Sequence, residues 1–286
     1  MVKTKKFSLI LAVMAVIVVA LLGVQAHQRH AQAAKYVDNR TATFFFHGWG
    51  SSYRAERQMA NAAKSAGATN TIIRANVDRR GKTTIQGKIT KKSRNPIVEV
   101  NFADNKNDNY RRDGEFAESA IKAVQKRFGI TKMNLVGHSM GNLAIMFYLL
   151  QNADNQNLPT LEHHVAIAGH FDGGLGFGYD KKTTLNREGK PSIMEKNYKA
   201  LLPLRQTYPT TSRVLNIAGD LDDGSKSDSQ IPLNSAFSLR YLVANRARSY
   251  QEKTIHGRMA QHSKLHENKQ VDKLLINFLW GKGQNQ

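Results

Sequence analysis

The run Gly137-His138-Ser139-Met140-Gly141 sets a serine between two glycines in the pattern G-x-S-x-G, the pattern of a nucleophile held on a sharp turn from strand to helix. Such a turn leaves the Ser139 hydroxyl projecting. Glycines at 137 and 141 remove the side chains that would collide with neighbouring backbone there. A helix starting at Met140 aims free N–H groups and the positive end of its dipole at the hydroxyl, where they favour negative charge. The chemistry this suits is attack on an acyl carbon. A second glycine-rich turn, His47-Gly48-Trp49-Gly50, follows an apolar run and lets backbone come close to a substrate oxygen. The backbone N–H groups of Trp49 and Met140 are the expected pair of oxyanion donors.

A serine of this kind needs a base and an acid. Two histidines stand between the last strand pattern and the last helix pattern, His262 and His266, in Ala260-Gln261-His262-Ser263-Lys264-Leu265-His266-Glu267-Asn268. His266-Glu267 falls where the helix starts and is committed to local structure. His262 lies on the loop just beyond the strand, from which a base can reach back to Ser139, so geometry favours His262. Four aspartates compete for the acid: Asp220, Asp222, Asp223 and Asp228. Asp228 sits on a loop that can face His262, and Asp222 is the runner-up. The cluster Gly219–Gly224 also reads as a polar turn or a calcium loop, but lacks the full ligand spacing with its closing glutamate. Zinc would need H-E-x-x-H, and that order is absent. No metal and no cofactor is expected.

Alternating elements must position these residues. Strand patterns fall at 43–46, 71–77, 97–102, 133–136, 165–168, 214–218 and 250–255, with helices at 54–66, 113–128, 140–150, near 235–247, and from 271 to the end. Residues 79–94 suggest a hairpin excursion. Strands separated by helices mean a mainly parallel sheet covered on both faces, with reactive residues on loops beyond the carboxyl ends of its strands. Residues 169–210 show little periodicity and are expected to form a small cap. Leu175, Phe177, Ile193, Met194, Leu201 and Leu202 could line an acyl pocket there or pack the cap onto the core. Gly173–Gly178 is a flexible loop, without the strand–helix context of a dinucleotide site.

The chain opens with Lys3, Lys5 and Lys6, and then runs from Phe7 to Val24 without a charge. Residues 1–33 read as a secretory signal or an uncleaved membrane anchor, with the catalytic domain at 34–286 outside the cytoplasm. There is no cysteine. The formal charge is +20, and without the three leading lysines +17 remains. The basic pairs Lys91-Lys92, Arg111-Arg112 and Lys181-Lys182 are scattered along the sequence and define no single patch. An anionic wall polymer or membrane surface is the expected macromolecular partner. Nucleic acid is not, since no binding motif is present.

Four stretches together resemble a known family: Phe46–Gly50, Asn95–Val100, Asn134–Asn142 and Ala260–Asn268 are similar to α/β-hydrolases of unknown function identified as cell-surface hydrolases of Gram-positive bacteria. The resemblance covers nearly all of the chain after residue 40. It implies a serine hydrolase with a lipase-like triad. It also bears on the acid, because lipase-like relatives open a D-G-x-V-P run with it. Asp228-Ser229-Gln230-Ile231-Pro232 is similar, with serine in place of glycine. The expected substrate is a carboxylic ester of short to medium acyl length. Thioester or amide cleavage, or a non-catalytic surface-binding role on the same scaffold, are the alternatives.

Overall fold

The computed structural model describes residues 14, 17–25, 28 and 31–284. Eight strands form one sheet: β1 Ala42–Phe46, β2 Ile72–Val77, β3 Thr83–Gln86, β4 Ile97–Phe102, β5 Lys132–His138, β6 Thr160–Ile167, β7 Arg213–Asp220 and β8 Ser249–His256. Their spatial order is β3-β2-β4-β1-β5-β6-β7-β8. Neighbours are parallel except β2 and β3, which pair antiparallel from Arg74↔Gln86 to Val77↔Thr83 as the expected hairpin. The helices are α1 Arg57–Ser65, α2 Tyr110–Phe128, α3 Met140–Gln151, α4 Lys196–Leu201, α5 Leu204–Thr207, α6 Leu233–Phe237, α7 Leu239–Val243 and α8 Lys269–Trp280.

Strand alternation decides which layer each apolar residue joins. Phe44 and Phe46 pack with Phe116, Ile121 and Phe147 on the α2–α3 side. Phe45 points the other way, among Met59, Ala63, Leu275 and Leu279 of α1 and α8. All three rings are fully buried, and each contributes about 1.5–3 kcal/mol by leaving water. Helix α3 is apolar all round because both of its sides are covered; Met140 through Leu149 are all buried.

Two expectations change. The helix expected near 235–247 is two short helices broken at Ser238. The Tyr198 hydroxyl donates to the Ser238 carbonyl at 2.9 Å, and the Ser238 hydroxyl donates to Ser235 O at 2.7 Å, so tertiary and local side-chain bonds compete with the helical ladder there. The region expected as a cap is mostly irregular, with α4 and α5 as its regular parts. Leu201, Tyr198 and Tyr208 are fully buried in the main core, and Met194 and Leu202 pack against it. These residues fasten the segment down and do not form an acyl pocket.

The cationic start and the first part of the Phe7–Val24 run lie outside the described residues. Residues 17–25 are helical, with Val19, Leu21 and Leu22 exposed. Among the described residues no helix is long and apolar enough to cross a membrane. The chain enters the domain where Val37 N–H donates to Trp280 O at 2.8 Å and Tyr36 bridges Gly281.

Candidate active site

β5 ends at His138, and Ser139 follows at φ 52°, ψ −122°, a backbone conformation that costs a non-glycine residue energy and is held by its surroundings. Ser139 N–H donates to Ile167 O at 3.0 Å, fixing the turn to the end of β6. The motif glycines answer to close contacts. A Cβ on Gly141 would lie 2.2 Å from the Phe46 carbonyl oxygen, and one on Gly137 would lie 2.7 Å from Asn142 Oδ1. Asn142 itself donates to Ser139 O at 3.1 Å and to Ile167 O at 2.9 Å, which binds the first turn of α3 to the elbow.

The loop after β1 lies beside this turn because β1 pairs with β5 in the register Phe46↔Gly137. A Cβ on Gly48 would be 3.1 Å from Ser139 Cβ, so glycine is what allows the loop to come this close. His47 is fully buried and holds the loop's shape: Phe102 N–H donates to its Nε2 at 3.1 Å, and its Nδ1–H donates to Gly48 O at 2.9 Å. Burial lowers its pKa, which keeps the ring neutral for this pair of bonds. Among the described residues neither the Trp49 nor the Met140 N–H has a hydrogen-bond acceptor. Both residues line the cleft in front of Ser139.

The His262 and Asp228 side chains arrive from the loops after β8 and β7. His262 Nε2 is 2.9 Å from Ser139 Oγ, and His262 Nδ1 is 2.8 Å from Asp228 Oδ2. Both residues are buried, at 5% and 1% exposure. The second carboxylate oxygen of Asp228 accepts from Gln230 N at 2.9 Å and Ile231 N at 2.6 Å. With its remaining acceptor sites filled by fixed donors, Asp228 has one orientation, and Nδ1 of His262 carries the proton. Nε2 is then free to accept the Ser139 proton. His262 N–H also donates to Asp228 O at 2.8 Å. Gly219, at the end of β7, makes room for this loop pair; a Cβ there would meet Ala260 O at 2.2 Å.

The runners-up stand elsewhere. Asp222 pairs with exposed His256 at 2.8 Å, and Asp220 joins them in a group whose ligand atoms lie within 4.8 Å of one another. Asp223 holds its own turn through Ser225 N. His266 lies in the 3-10 turn His262–Glu267, ahead of α8 and outside it, with its ring edge-on to His138 at 4.9 Å.

Sequence reasoning missed several residues of the cleft. His138, the variable position of the motif, donates from Nε2 to the His262 carbonyl at 3.0 Å, with its ring 4.9 Å from that of His262. Burial first, then the neighbouring His262 and His266, hold its pKa well below the usual histidine value, so it stays neutral beside the base. The cleft has a volume of about 480 Å³, and Tyr110 and His170 form much of one wall together with Phe177, which the sequence had named as a possible pocket residue. His170 Nε2 lies 3.2 Å from the Tyr110 hydroxyl, and its ring meets Phe177 edge-on at 5.5 Å. Burial takes its pKa down to about 3. Trp49 and Phe177 stay 59% and 44% exposed at the mouth. No periodicity marks His138, Tyr110 or His170. The available signal was position: His138 inside the motif, Tyr110 at a helix start, and His170 just beyond the carboxyl end of β6.

A family model described as alpha/beta hydrolase of unknown function (DUF915) matches residues 30–282. The chain belongs to this family. Solved structures agree with this alpha/beta hydrolase assignment. The product of the gene lin2722 of Listeria innocua is 25% identical, with a TM-score of 0.77 over 84% of this chain and 94% of that one. A Lactobacillus plantarum WCFS1 protein, provisionally named a cell surface hydrolase, is 17% identical with a TM-score of 0.63 over 85% and 91%. No curated protein matches the chain.

Proposed function

We propose that this alpha/beta hydrolase is an extracytoplasmic serine esterase acting on carboxylic esters of short to medium acyl length. The observation that carries the reading is the relay from half-buried Ser139 through buried His262 to buried Asp228, with contacts of 2.9 and 2.8 Å. Ser139 Oγ attacks the acyl carbon as its proton passes to His262 Nε2. Asp228 holds the resulting imidazolium, and the Trp49 and Met140 N–H groups receive the oxyanion. The imidazolium then protonates the leaving alkoxide, leaving an acyl-enzyme on Ser139. Water, deprotonated by His262, releases the acid. The chemistry needs no metal, because imidazole supplies the base and backbone supplies the electrophile.

The cleft size favours a compact ester, with the aromatic wall of Tyr110 and Phe177 placed for an acyl chain or an apolar alcohol. A fluorophosphonate probe should label Ser139, and a p-nitrophenyl ester series should peak at short or medium acyl length. Absence of labelling would favour the non-catalytic binding role, and a rate rising steadily to long-chain triglycerides would refute the substrate class. The extracytoplasmic placement rests on the leading cationic and apolar segment. Protease added to intact cells should reach the domain.

A further inference from the structure

Basic residues are spread over the whole sequence, but the fold leaves those on one edge without acidic counterparts. Because seven of the eight strands run the same way, every segment that enters one of those seven at its amino end lies on one edge of the molecule, opposite the Ser139 elbow. Those segments are 35–41, 64–71, 87–96, 126–132, 152–162, 208–213 and 244–248, with 281–284 after α8. They hold fourteen Lys and Arg against three acids. The segments at the carboxyl ends (47–56, 78–82, 103–113, 168–200, 220–233 and 256–268) hold sixteen against fourteen. The net charge of these segments is therefore +11 on the edge away from the active site and +2 on the edge that carries it.

Little on this edge neutralises it. Lys132 pairs with Glu162 at 2.5 Å. Arg94, Arg127 and Arg246 are tied instead to the carbonyls of Gly67, Ile85 and Tyr208, which fixes the side chains without cancelling their charge. Lys91 and Lys92 are exposed on the β3–β4 loop. The leading segment joins the domain on this same edge. Ala33 lies against Gly67, at 3.5 Å from where a Cβ would stand, and Asn95 N–H donates to Asn39 O at 2.8 Å. Just ahead of it, residues 17–25 present exposed Val19, Leu21 and Leu22.

We propose that the amino-end edge of the sheet is a docking face for an anionic phospholipid bilayer, lying flat on the headgroups while the leading apolar segment enters the same bilayer. This rests on the reading of an exported chain that is membrane-bound through its first residues. Cations near an anionic leaflet are attracted individually and additively, and the attraction falls within a Debye length, so a broad face of them orients the body as well as holding it. The seven residues of β5 then hold Ser139 about 23 Å from the bilayer, facing away from it.

The chain has no cysteine, so single labels can be placed at will. Full-length Lys92→Cys and Arg79→Cys, the latter on the β2–β3 turn at the opposite edge, would carry a fluorophore. Each is reconstituted with phosphatidylcholine vesicles, or with the same vesicles containing phosphatidylglycerol, both bearing a headgroup quencher. The expected result is quenching at 92 and not at 79, in the phosphatidylglycerol vesicles alone, relieved by salt while the protein still sediments with the lipid. In the Lys92→Cys background, the double variant K88E/K91E, with an unchanged Tm, should lose most of the quenching at 92 while still sedimenting with phosphatidylglycerol vesicles. Equal quenching at both labels, equal quenching in the two lipids, or an unaffected double variant would overturn the proposal. So would shielding of position 92 by soluble poly(glycerol phosphate) but not by vesicles, which assigns the face to a wall polymer. Failure to sediment with neutral vesicles refutes membrane anchoring by the first residues, and the phosphatidylglycerol arm still decides the docking face.

Discussion

The Ser139 end of the sheet and the segment 168–212 that lies beside it are built on different terms. At the elbow, glycines at 48, 137, 141 and 219 stand where an added Cβ would meet backbone or a fixed side chain, and hydrogen bonds fill the acceptors of Asp228. The adjoining segment has few regular elements. It is held by a handful of buried rings, Tyr198, Tyr208 and Phe171 among them, and by Asp172, which accepts from Glu195 N at 2.8 Å. The first region tolerates almost no change in shape. The second should tolerate a good deal, provided its anchors remain.

The largest effect tests the relay itself. Ser139→Ala and His262→Ala should each lower esterase turnover by about 10³-fold or more, and the double variant little further, because the residues act as a unit. His266→Ala should cost far less. Appreciable turnover by folded Ser139→Ala, or crippling by His266→Ala, would break the assignment. Next comes Gly141→Ala, which drives a methyl into the Phe46 carbonyl. Chemical denaturation should show it destabilised by about 1–3 kcal/mol, as overpacking commonly does. Stability equal to the parent would mean that the elbow is looser than its contacts indicate.

For the acid, Asp228→Asn should slow turnover far more than Asp222→Asn, whose partner is the exposed His256; the reverse ranking in steady-state rates would move the role. The smallest effect concerns the adjoining segment. Burial raises the Asp172 pKa to about 6. The folded protein therefore holds a proton between about pH 4 and 6 that the unfolded chain has lost, and stability falls as pH rises through that window. Asp172→Asn removes this dependence, so from pH 4 to 7 its Tm should gain a few degrees on the parent's in calorimetry. Parallel Tm curves would show that Asp172 is ionised in the fold at no cost.

Much of the Ser139 end was legible because its constraints are local. A strand must end, a glycine must clear a backbone, and a helix must start, all within five residues around Ser139. The strands and the helices α2, α3 and α8 were legible for the same reason. What the sequence concealed depends on distant partners. The break at Ser238 is linked to the Tyr198 hydroxyl, forty residues away. His138 gained its place from a carbonyl 124 residues later. The basic edge is a property of strand direction, and no window along the chain contains it. Asp228 lay between these cases: its loop was readable, but its choice over Asp222 waited on which aspartate reached His262.

The exposed Trp49 and Phe177 rings at the mouth of the cleft have a kinetic consequence. The neighbouring segment is fastened into the core, so under the proposed esterase reading Ser139 meets dissolved substrate without a cover having first to be drawn aside at an oil–water boundary. Rate should then follow a single saturation curve, with no step at the concentration where the ester begins to form droplets or micelles.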